Sequence, residues 1–435
     1  MKPEFEARMK DLLREEYPAF EQAMKESPRR GYRINPLKTS AEEFFRLTGY
    51  PENPTPFAQY AYYLSEQSGA GATAVHAAGL LYLQEPSAAS AVSVLDPKPG
   101  MKVLDLCAAP GSKTTEIAGL MHNQGLLAAN EINPGRSKIL VENVERWGAE
   151  NVMVLNADPA QVAESFPEYF DAVLCDAPCS GEGMFRKNPD AEKEWSPESV
   201  LSCAKRQRTI LSSALNCLKP GGRLVYSTCT FSLEENEENV SWLLSEYPFM
   251  KLEPIQASFG RPGFELGSGT SMCRRIFPMD GGEGHFIASF RKETDAQASY
   301  CSSLLKSEPM PRAAEDFLKQ ISYPYTYVHH NKVYGGTFPF VSPGTCRLLR
   351  HQVLLGEVKK DRFEPDHALF LSSDHPFPVK MELQDSEVRP YLSGMTIPCT
   401  GKGYTAVCWH GHALGFGKAD GAILKNRYPK ELRLK

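Results

Sequence analysis

Two cysteines follow apolar runs that stop on polar residues. Cys179 lies in Phe170–Lys187, FDAVLCDAPCSGEGMFRK, and Cys229 in Arg223–Asn239, RLVYSTCTFSLEENEEN. A thiolate attacks electron-poor carbon, and one reaction that requires it is substitution at carbon 5 of a cytosine. That carbon is a poor nucleophile until a thiolate adds at carbon 6 and makes the ring enamine-like. Cys229 is placed for that attack, just before Ser232 and Glu235, whose spacing reads as a capping box. The positive end of such a helix would favour thiolate. Asp176 can face ring nitrogen 3 as charge develops there, protonating it or hydrogen-bonding to it. Cys179 can assist release after carbon 5 is substituted. Taken singly, an intracellular cysteine is most often a small buried hydrophobe. Two of them at strand ends, one three residues from an acid, ask for a chemical explanation.

The elements that must position these groups alternate from Met101 onward. MKVLDL, LLAANEI, NVMVLNAD, FDAVLCDAP and RLVYSTCT read as strands, and the segments between them as helices. Such alternation predicts an α/β fold with a mostly parallel, Rossmann-like sheet and right-handed crossovers. The helix after Asn133 and Pro134 should bury Ile139, Leu140, Val144 and Trp147. A helix opening at Ser196 and Pro197 should bury Leu201, Leu211, Leu215 and Leu218 and end at Gly221 and Gly222. GHFIASFRK, near residue 288, reads as a late edge strand.

The first strand-turn-helix, VLDLCAAPGSKT, has a single glycine and fails the dinucleotide fingerprint, so a cofactor without phosphates is favoured. S-adenosylmethionine fits. It needs small residues near its methionine part, a carboxylate for its ribose and polar contacts to adenine. Glu131 ends the second strand about twenty residues past the turn, where the ribose-binding acid is expected. Asp158 ends the third and can accept from the adenine amine. Each acid alone is an ordinary strand-end residue; three at successive strand ends, with Asp176, argue for a site.

The chain has 435 residues, enough for several domains, and 11 cysteines without paired metal-ligand spacing. No metal site is expected, and with no apolar run of membrane-spanning length and no signal segment, a cytoplasmic monomer is expected. The amino terminus reads as an amphipathic helix with Phe5, Met9, Leu12, Leu13 and Tyr17 on one face. Arg29, Arg30, Arg33 and Lys38 then form a basic loop in a small α+β module, Gly69–Ala74 is small and flexible, and His76–Leu95 reads as a link into the next domain. A net charge of −5 excludes a uniformly basic coat. From Thr396 to Lys435, however, seven Lys and Arg face two acids, a surplus that could dock a polyanion. Four units are expected: 1–88, 89–292, 293–375 and 376–435.

Arg33-Ile34-Asn35-Pro36-Leu37-Lys38, Tyr82-Leu83-Gln84-Glu85-Pro86-Ser87, Cys107-Ala108-Ala109-Pro110-Gly111-Ser112-Lys113-Thr114, Asp176-Ala177-Pro178-Cys179 and Ser227-Thr228-Cys229-Thr230 together resemble the RNA 5-methylcytosine methyltransferases of the Nol/Nop/Sun type, and the bacterial ribosomal branch within them. The resemblance implies that Cys107, Ala108, Ala109, Pro110, Gly111, Ser112, Lys113, Glu131, Asp158 and Asp176 contact S-adenosylmethionine. It also implies that Cys229 is the nucleophile, that Cys179 assists release, and that Lys113 and Asp176 approach the target base. Ser112 departs from the glycine common in the family, and a serine there can cap the helix. The tail resembles the PUA-like RNA-binding module of that branch, which implies small-subunit (16S) ribosomal RNA as partner. Two other readings stay open: a transfer RNA cytosine-5 methyltransferase, and a non-catalytic ribosome-assembly factor.

Overall fold

The structure, a computed structural model, describes residues 1–64, 74–293, 303–319 and 321–434. The flexible stretch expected at Gly69–Ala74 therefore lies, apart from Ala74, outside the described residues, and the link expected over His76–Leu95 is built into the fold as strand Leu81–Gln84 and helix Ser90–Leu95. The chain opens with helix Pro3–Leu13, whose buried Phe5, Met9 and Leu13 recur at four-residue spacing and form one stripe. Together with Phe20 they pack on Phe185, Trp195, Phe231 and Phe277, the residues flanking the two cysteine loops. Each such side chain contributes roughly 1.5–3 kcal/mol by leaving water. The amino-terminal helix thus backs the loops that carry the thiols.

A small antiparallel sheet follows, with β1 (Arg30–Ile34), β2 (Ala61–Leu64) and β3 (Leu81–Gln84) in the order β2-β1-β3. Two residues of the expected basic loop point inward. Arg33 is 2% exposed. Its guanidinium donates to the Ser112 carbonyl and Thr115 Oγ1 at 2.8 Å each and lies over the Trp147 ring. Lys38 donates to the carbonyls of Ala78 and Arg146 at 2.9 Å each. Both cations are spent on joining this module to the next.

The central strands β4 (Lys102–Asp105), β5 (Leu126–Asn130), β6 (Val152–Asn156), β7 (Phe170–Asp176) and β8 (Leu218–Thr228) are parallel, in the order β8-β7-β4-β5-β6. The chain winds outward from β4 through β5 and β6, then returns to β7 on the other side. Such a switch point leaves a crevice at the carboxyl ends of β4 and β7. Helices cover both faces, so these strands read as near-continuous apolar runs. The α/β, Rossmann-like expectation holds.

Helix positions differ in detail. Helix Pro134–Trp147 starts on the Asn133 cap and buries Leu140, Val144 and Trp147, but Ile139 is 47% exposed. Helix Pro197–Cys217 buries Val200, Leu211 and Leu215, and leaves Leu201 59% exposed. Adjacent residues on a helix diverge by about 100°, so Ile139 and Leu201 face away beside buried Leu140 and Val200. That second helix ends at Cys217, and Leu218 already belongs to β8, ahead of Gly221 and Gly222.

After β9 (Met250–Glu253), β10 (Arg261–Pro262) and β11 (Arg274–Ile276), strand β12 (His285–Lys292) runs antiparallel to β8. It is not an edge, because β11 and β9 pair along its other side. Beyond it come β13 (Tyr325–His329), β14 (Lys332–Gly336), β15 (Arg347–His351), β16 (Val353–Lys359) and β17 (Arg362–Pro365). Of these, β15 leaves its neighbours and pairs antiparallel with β6, extending the central sheet. The last sheet contains β18 (Lys380–Glu382), β19 (Ile397–Pro398), β20 (Lys402–Trp409), β21 (His412–Asp420) and β22 (Ile423–Asn426), in the order β18-β20-β21-β22-β19. Among the described residues no helix is long and apolar enough to cross a membrane.

Candidate active site

The turn after β4 sets one wall of the crevice. Ala108 N–H donates to the Asn130 carbonyl at 2.8 Å, and Arg136 donates to the Ala109 carbonyl at 2.6 Å, which pins the turn to β5 and its helix. Gly111 has φ +109°, and a Cβ there would stand 3.1 Å from Leu140 Cδ1. Glycine answers both the backbone conformation and the close approach. Ser112 is the first residue of helix Ser112–Leu120, and it does not cap it; its hydroxyl donates to Gln84 Oε1 at 2.6 Å. With Arg33, this contact makes the amino-terminal module a support for the cofactor turn.

Next in the crevice, Glu131 is buried, accepts from Asn133 N–H at 2.8 Å and stands 3.6 Å from Arg136. Asp158 caps helix Pro159–Ser165 by accepting from Ala160 N–H at 2.9 Å. Glu131, Asp158, Asp176, Cys107, Ala109, Cys179 and Cys229 all line one cavity of about 680 Å³. Its wall does not include Ala108, Pro110, Gly111, Ser112 or Lys113. The Cys107 thiol is pushed well up by its contact with Cys175 and by burial, so Cys107 meets the cavity as a neutral group.

At the end of β7, Asp176 accepts from Lys113 Nζ and from Ser227 Oγ, each at 2.7 Å. Burial works to raise the Asp176 pKa, but the charge of Lys113 prevails and holds it below the usual carboxylate range. Burial likewise pulls on Lys113, and the Asp176 carboxylate overrides it and raises the ammonium pKa. The proton of this pair sits on Lys113. Asp176 therefore meets the cavity as a hydrogen-bond acceptor.

Cys179 Sγ and Cys229 Sγ are 3.2 Å apart. The Cys179 thiol is pushed well up, first by its hydrogen-bond contact with Cys229 and then by burial, and either sulfur can be the donor of that contact. The capping box expected beyond Cys229 does not form. Helix Glu237–Glu246 starts later, on Asn236, because Ser232 donates to Glu182 and Glu235 accepts from Ser180 and Gln207. The helix start nonetheless stays beside Cys229, because Asn236 accepts from Thr228 Oγ1 at 2.7 Å and donates to the Thr230 carbonyl at 3.0 Å.

Two further groups escaped the sequence reading. His285, inside GHFIASFRK, donates from Nδ1 to the Gly284 carbonyl at 3.1 Å, and its buried Nε2 has no hydrogen-bond partner, 3.9 Å from Asp176 Oδ1. Asp105, at the end of β4, accepts from Thr114 at 2.7 Å, and burial pushes its pKa to about 7. The strand-end rule applied to the other acids would have found Asp105.

The residues around the cavity fit a sulfonium nucleoside: two acids for the sugar and base, a glycine-dependent turn for the amino-acid part, and no phosphate-binding glycine loop. Comparison with known proteins agrees. The chain matches the N-terminal domain of 16S rRNA methyltransferase RsmF over residues 1–86, 16S rRNA methyltransferase RsmB/F over 92–291, and the methyltransferase RsmF PUA domain over 378–434. It is 33% identical to ribosomal RNA small subunit methyltransferase F of Cronobacter sakazakii, over 97% of this chain and 95% of that protein. This chain belongs to the RsmF family of methyltransferases. As a member of the family it uses S-adenosylmethionine. The Aliivibrio salmonicida relative is 35% identical over 95% of this chain and 93% of its own. Among solved structures, a methyltransferase homologue from Pyrococcus horikoshii superimposes with a TM-score of 0.59 at 32% identity, covering 67% of this chain and 95% of that one.

Proposed function

We propose that this member of the family transfers a methyl group to carbon 5 of a cytosine in small-subunit (16S) ribosomal RNA, with Cys229 as nucleophile. The observation that carries the reading is the pair of sulfur atoms 3.2 Å apart on the wall of the cofactor cavity. Bound S-adenosylmethionine supplies an electrophilic methyl carbon. Glu131 holds its ribose hydroxyls, Asp158 its adenine amine, and Cys107 and Ala109, the residues of the turn that reach the cavity wall, its methionine part.

The target base must leave its stack to reach the crevice. Cys229, its thiol proton released to water, then forms a bond from Sγ to carbon 6, and the π pair moves to carbon 5 and, through carbon 4, toward nitrogen 3. Asp176 accepts from the exocyclic amine, while the Lys113 ammonium neutralises the charge that builds at nitrogen 3. With that pair carbon 5 takes the methyl group, whose bond to the sulfonium sulfur would break and leave its electrons on a neutral thioether. Cys179 next removes the carbon 5 proton; the electrons of the broken C–H bond restore the ring double bond and expel Cys229. The largest cause of Cys179's high proton affinity is its neighbour Cys229. Once that sulfur is tied to carbon 6, Cys179 can release its own proton to water and act as the base.

The RNA address is read elsewhere. Lys418 and Lys425 are cross-strand neighbours on β21 and β22, Lys418 lies 5.0 Å from the Tyr404 ring, and Lys402, Arg427 and Lys430 are exposed nearby in the sequence. Exposed cations beside an aromatic ring suit phosphates and an unpaired base. Arg433 is turned inward onto the Tyr428 carbonyl and is not part of this face. The relatives' names, which specify the small ribosomal subunit, support the same target.

Bisulfite mapping of cellular RNA with and without the gene, together with methyl incorporation into purified small subunits and transfer RNA, tests the reading. Loss of 5-methylcytosine from 16S RNA is expected. Loss from transfer RNA instead, or from no RNA at all, overturns it.

A further inference from the structure

Glu182 and Glu235 cross between the two cysteine loops in opposite directions. Glu182 belongs to the loop of Cys179 and is 1% exposed. Its Oε1 accepts from Trp195 Nε1 at 2.9 Å and Ser232 Oγ at 2.6 Å; its Oε2 accepts from Thr230 Oγ1 and Phe231 N–H, both at 2.7 Å. Three of those four donors lie on the loop of Cys229. Glu235 belongs to the Cys229 loop and is wholly buried. It accepts from Ser180 N–H at 3.0 Å, from Ser180 Oγ, and from Gln207 Nε2 at 2.7 Å. Gln207 in turn donates to the Pro178 carbonyl at 3.1 Å, so Glu235 controls both neighbours of Cys179. Gly183 N–H adds a bond to the Cys229 carbonyl at 2.9 Å.

We propose that Glu182 and Glu235 are a reciprocal pair of positioning residues that fix Cys179 against Cys229 and so set how fast the Cys229 adduct resolves. The proposal rests on the nucleophile and release roles given above to the two cysteines. Burying two carboxylates is costly unless each is fully hydrogen-bonded, and here both spend their bonds between the same two loops. The loops are not held equally by anything else. Cys229 directly follows β8 of the central sheet, and Asn236 ties that loop to itself through Thr228 at 2.7 Å and the Thr230 carbonyl at 3.0 Å. Beside the contact of Ser180 Oγ with Thr230 Oγ1 at 2.8 Å, the residues flanking Cys179 are held chiefly by Glu235. Its loss should therefore displace Cys179 while leaving Cys229 able to attack.

The two acids also differ in what can replace them. All four acceptor directions of Glu182 are met by donors, so an amide NH2 would oppose two of them. Glu235 faces the Ser180 hydroxyl, which can turn to accept from an amide, and burial pushes its pKa to about 7, as for a group whose neutral form is tolerated. Glu235→Gln should therefore rescue what Glu235→Ala loses, and Glu182→Gln should rescue nothing.

The test follows the denaturant-stable protein–RNA adduct in time, using the full chain, S-adenosylmethionine and small-subunit RNA. Cys179→Ala serves as reference. Glu235→Ala should form adduct at a rate within about threefold of the parent chain and resolve it roughly tenfold or more slowly, the scale on which a small misplacement acts. Glu235→Gln should behave as the parent chain. Should Glu235→Ala not fold, Ser180→Ala removes one of the same bonds from a half-buried site and decides the matter. Resolution at the parent rate in the folded variants, or equal slowing of formation and resolution, overturns the proposal. If Cys179→Ala itself accumulates no adduct, the release role of Cys179 has failed, and the positioning role with it.

Discussion

Cations do opposite work in two regions of the molecule. Around the cofactor turn, Arg33 and Lys113 are buried and hydrogen-bonded to named partners. On the carboxyl-terminal sheet, Lys402, Lys418, Lys425 and Arg427 stand in solvent. A buried charge that loses its partner leaves an unsatisfied ion, so each one there is individually necessary. An exposed charge is screened and replaceable, and acts in number. The interior is thus built for geometry and the distal face for attraction.

The comparison predicts graded effects. Arg33→Ala strands Glu116, 3.6 Å away and 3% exposed, and frees helix Ser112–Leu120, which carries Lys113. Denaturant melts should show a loss of about 3–5 kcal/mol; a loss below about 1 kcal/mol would place Arg33 with the surface cations. Next comes Glu235. Its carboxyl ionises near 4.5 when unfolded and near about 7 when folded. Between those values the folded state binds more protons, so stability falls as pH rises from about 4.5 to about 7. Glu235→Gln should gain on the parent chain across that window by at most about 3 kcal/mol, at about 1.4 kcal/mol per tenfold change in proton affinity. A constant difference between the two melts would contradict this.

Glu131→Ala should weaken S-adenosylmethionine by roughly 1–3 kcal/mol, the cost of a lost buried hydrogen-bond partner, and unchanged calorimetric affinity would remove Glu131 from the ribose site. The smallest effects belong to the distal face. Lys418→Ala and Lys425→Ala should each weaken RNA binding uniformly and lower the salt slope by about 1. An unchanged slope would break the contrast between the regions. Substitution is the right tool there, because truncation after Lys292 would also remove β15 from its pairing with β6 in the central sheet.

Much of the site could be read from the sequence because its parts are local. The turn of Cys107–Ser112, the strand-end acids and both cysteines each sit in a short motif whose own pattern places them at a sheet edge. What could not be read depends on partners far apart in the chain. Ser232 and Glu235 have the spacing of a capping box, yet their side chains are claimed by Glu182 and Ser180, about 50 residues away. Arg33 looks like a solvated loop cation until Trp147 and Glu116 close over it. His285 sat in a stretch correctly read as a strand; its importance comes from two crossings of the sheet that bring Asp176 near it. Short-range pattern picked out the candidate groups, and long-range packing decides how they are held.

The central claim is that two neighbouring thiols divide one reaction between them. Incubating each single-cysteine variant with S-adenosylmethionine and small-subunit RNA, then resolving protein from RNA under denaturing conditions, tests it directly. Cys179→Ala should accumulate a covalent protein–RNA band and Cys229→Ala should give neither band nor methylated RNA. A band in Cys229→Ala, or normal turnover without a band in Cys179→Ala, would contradict the account.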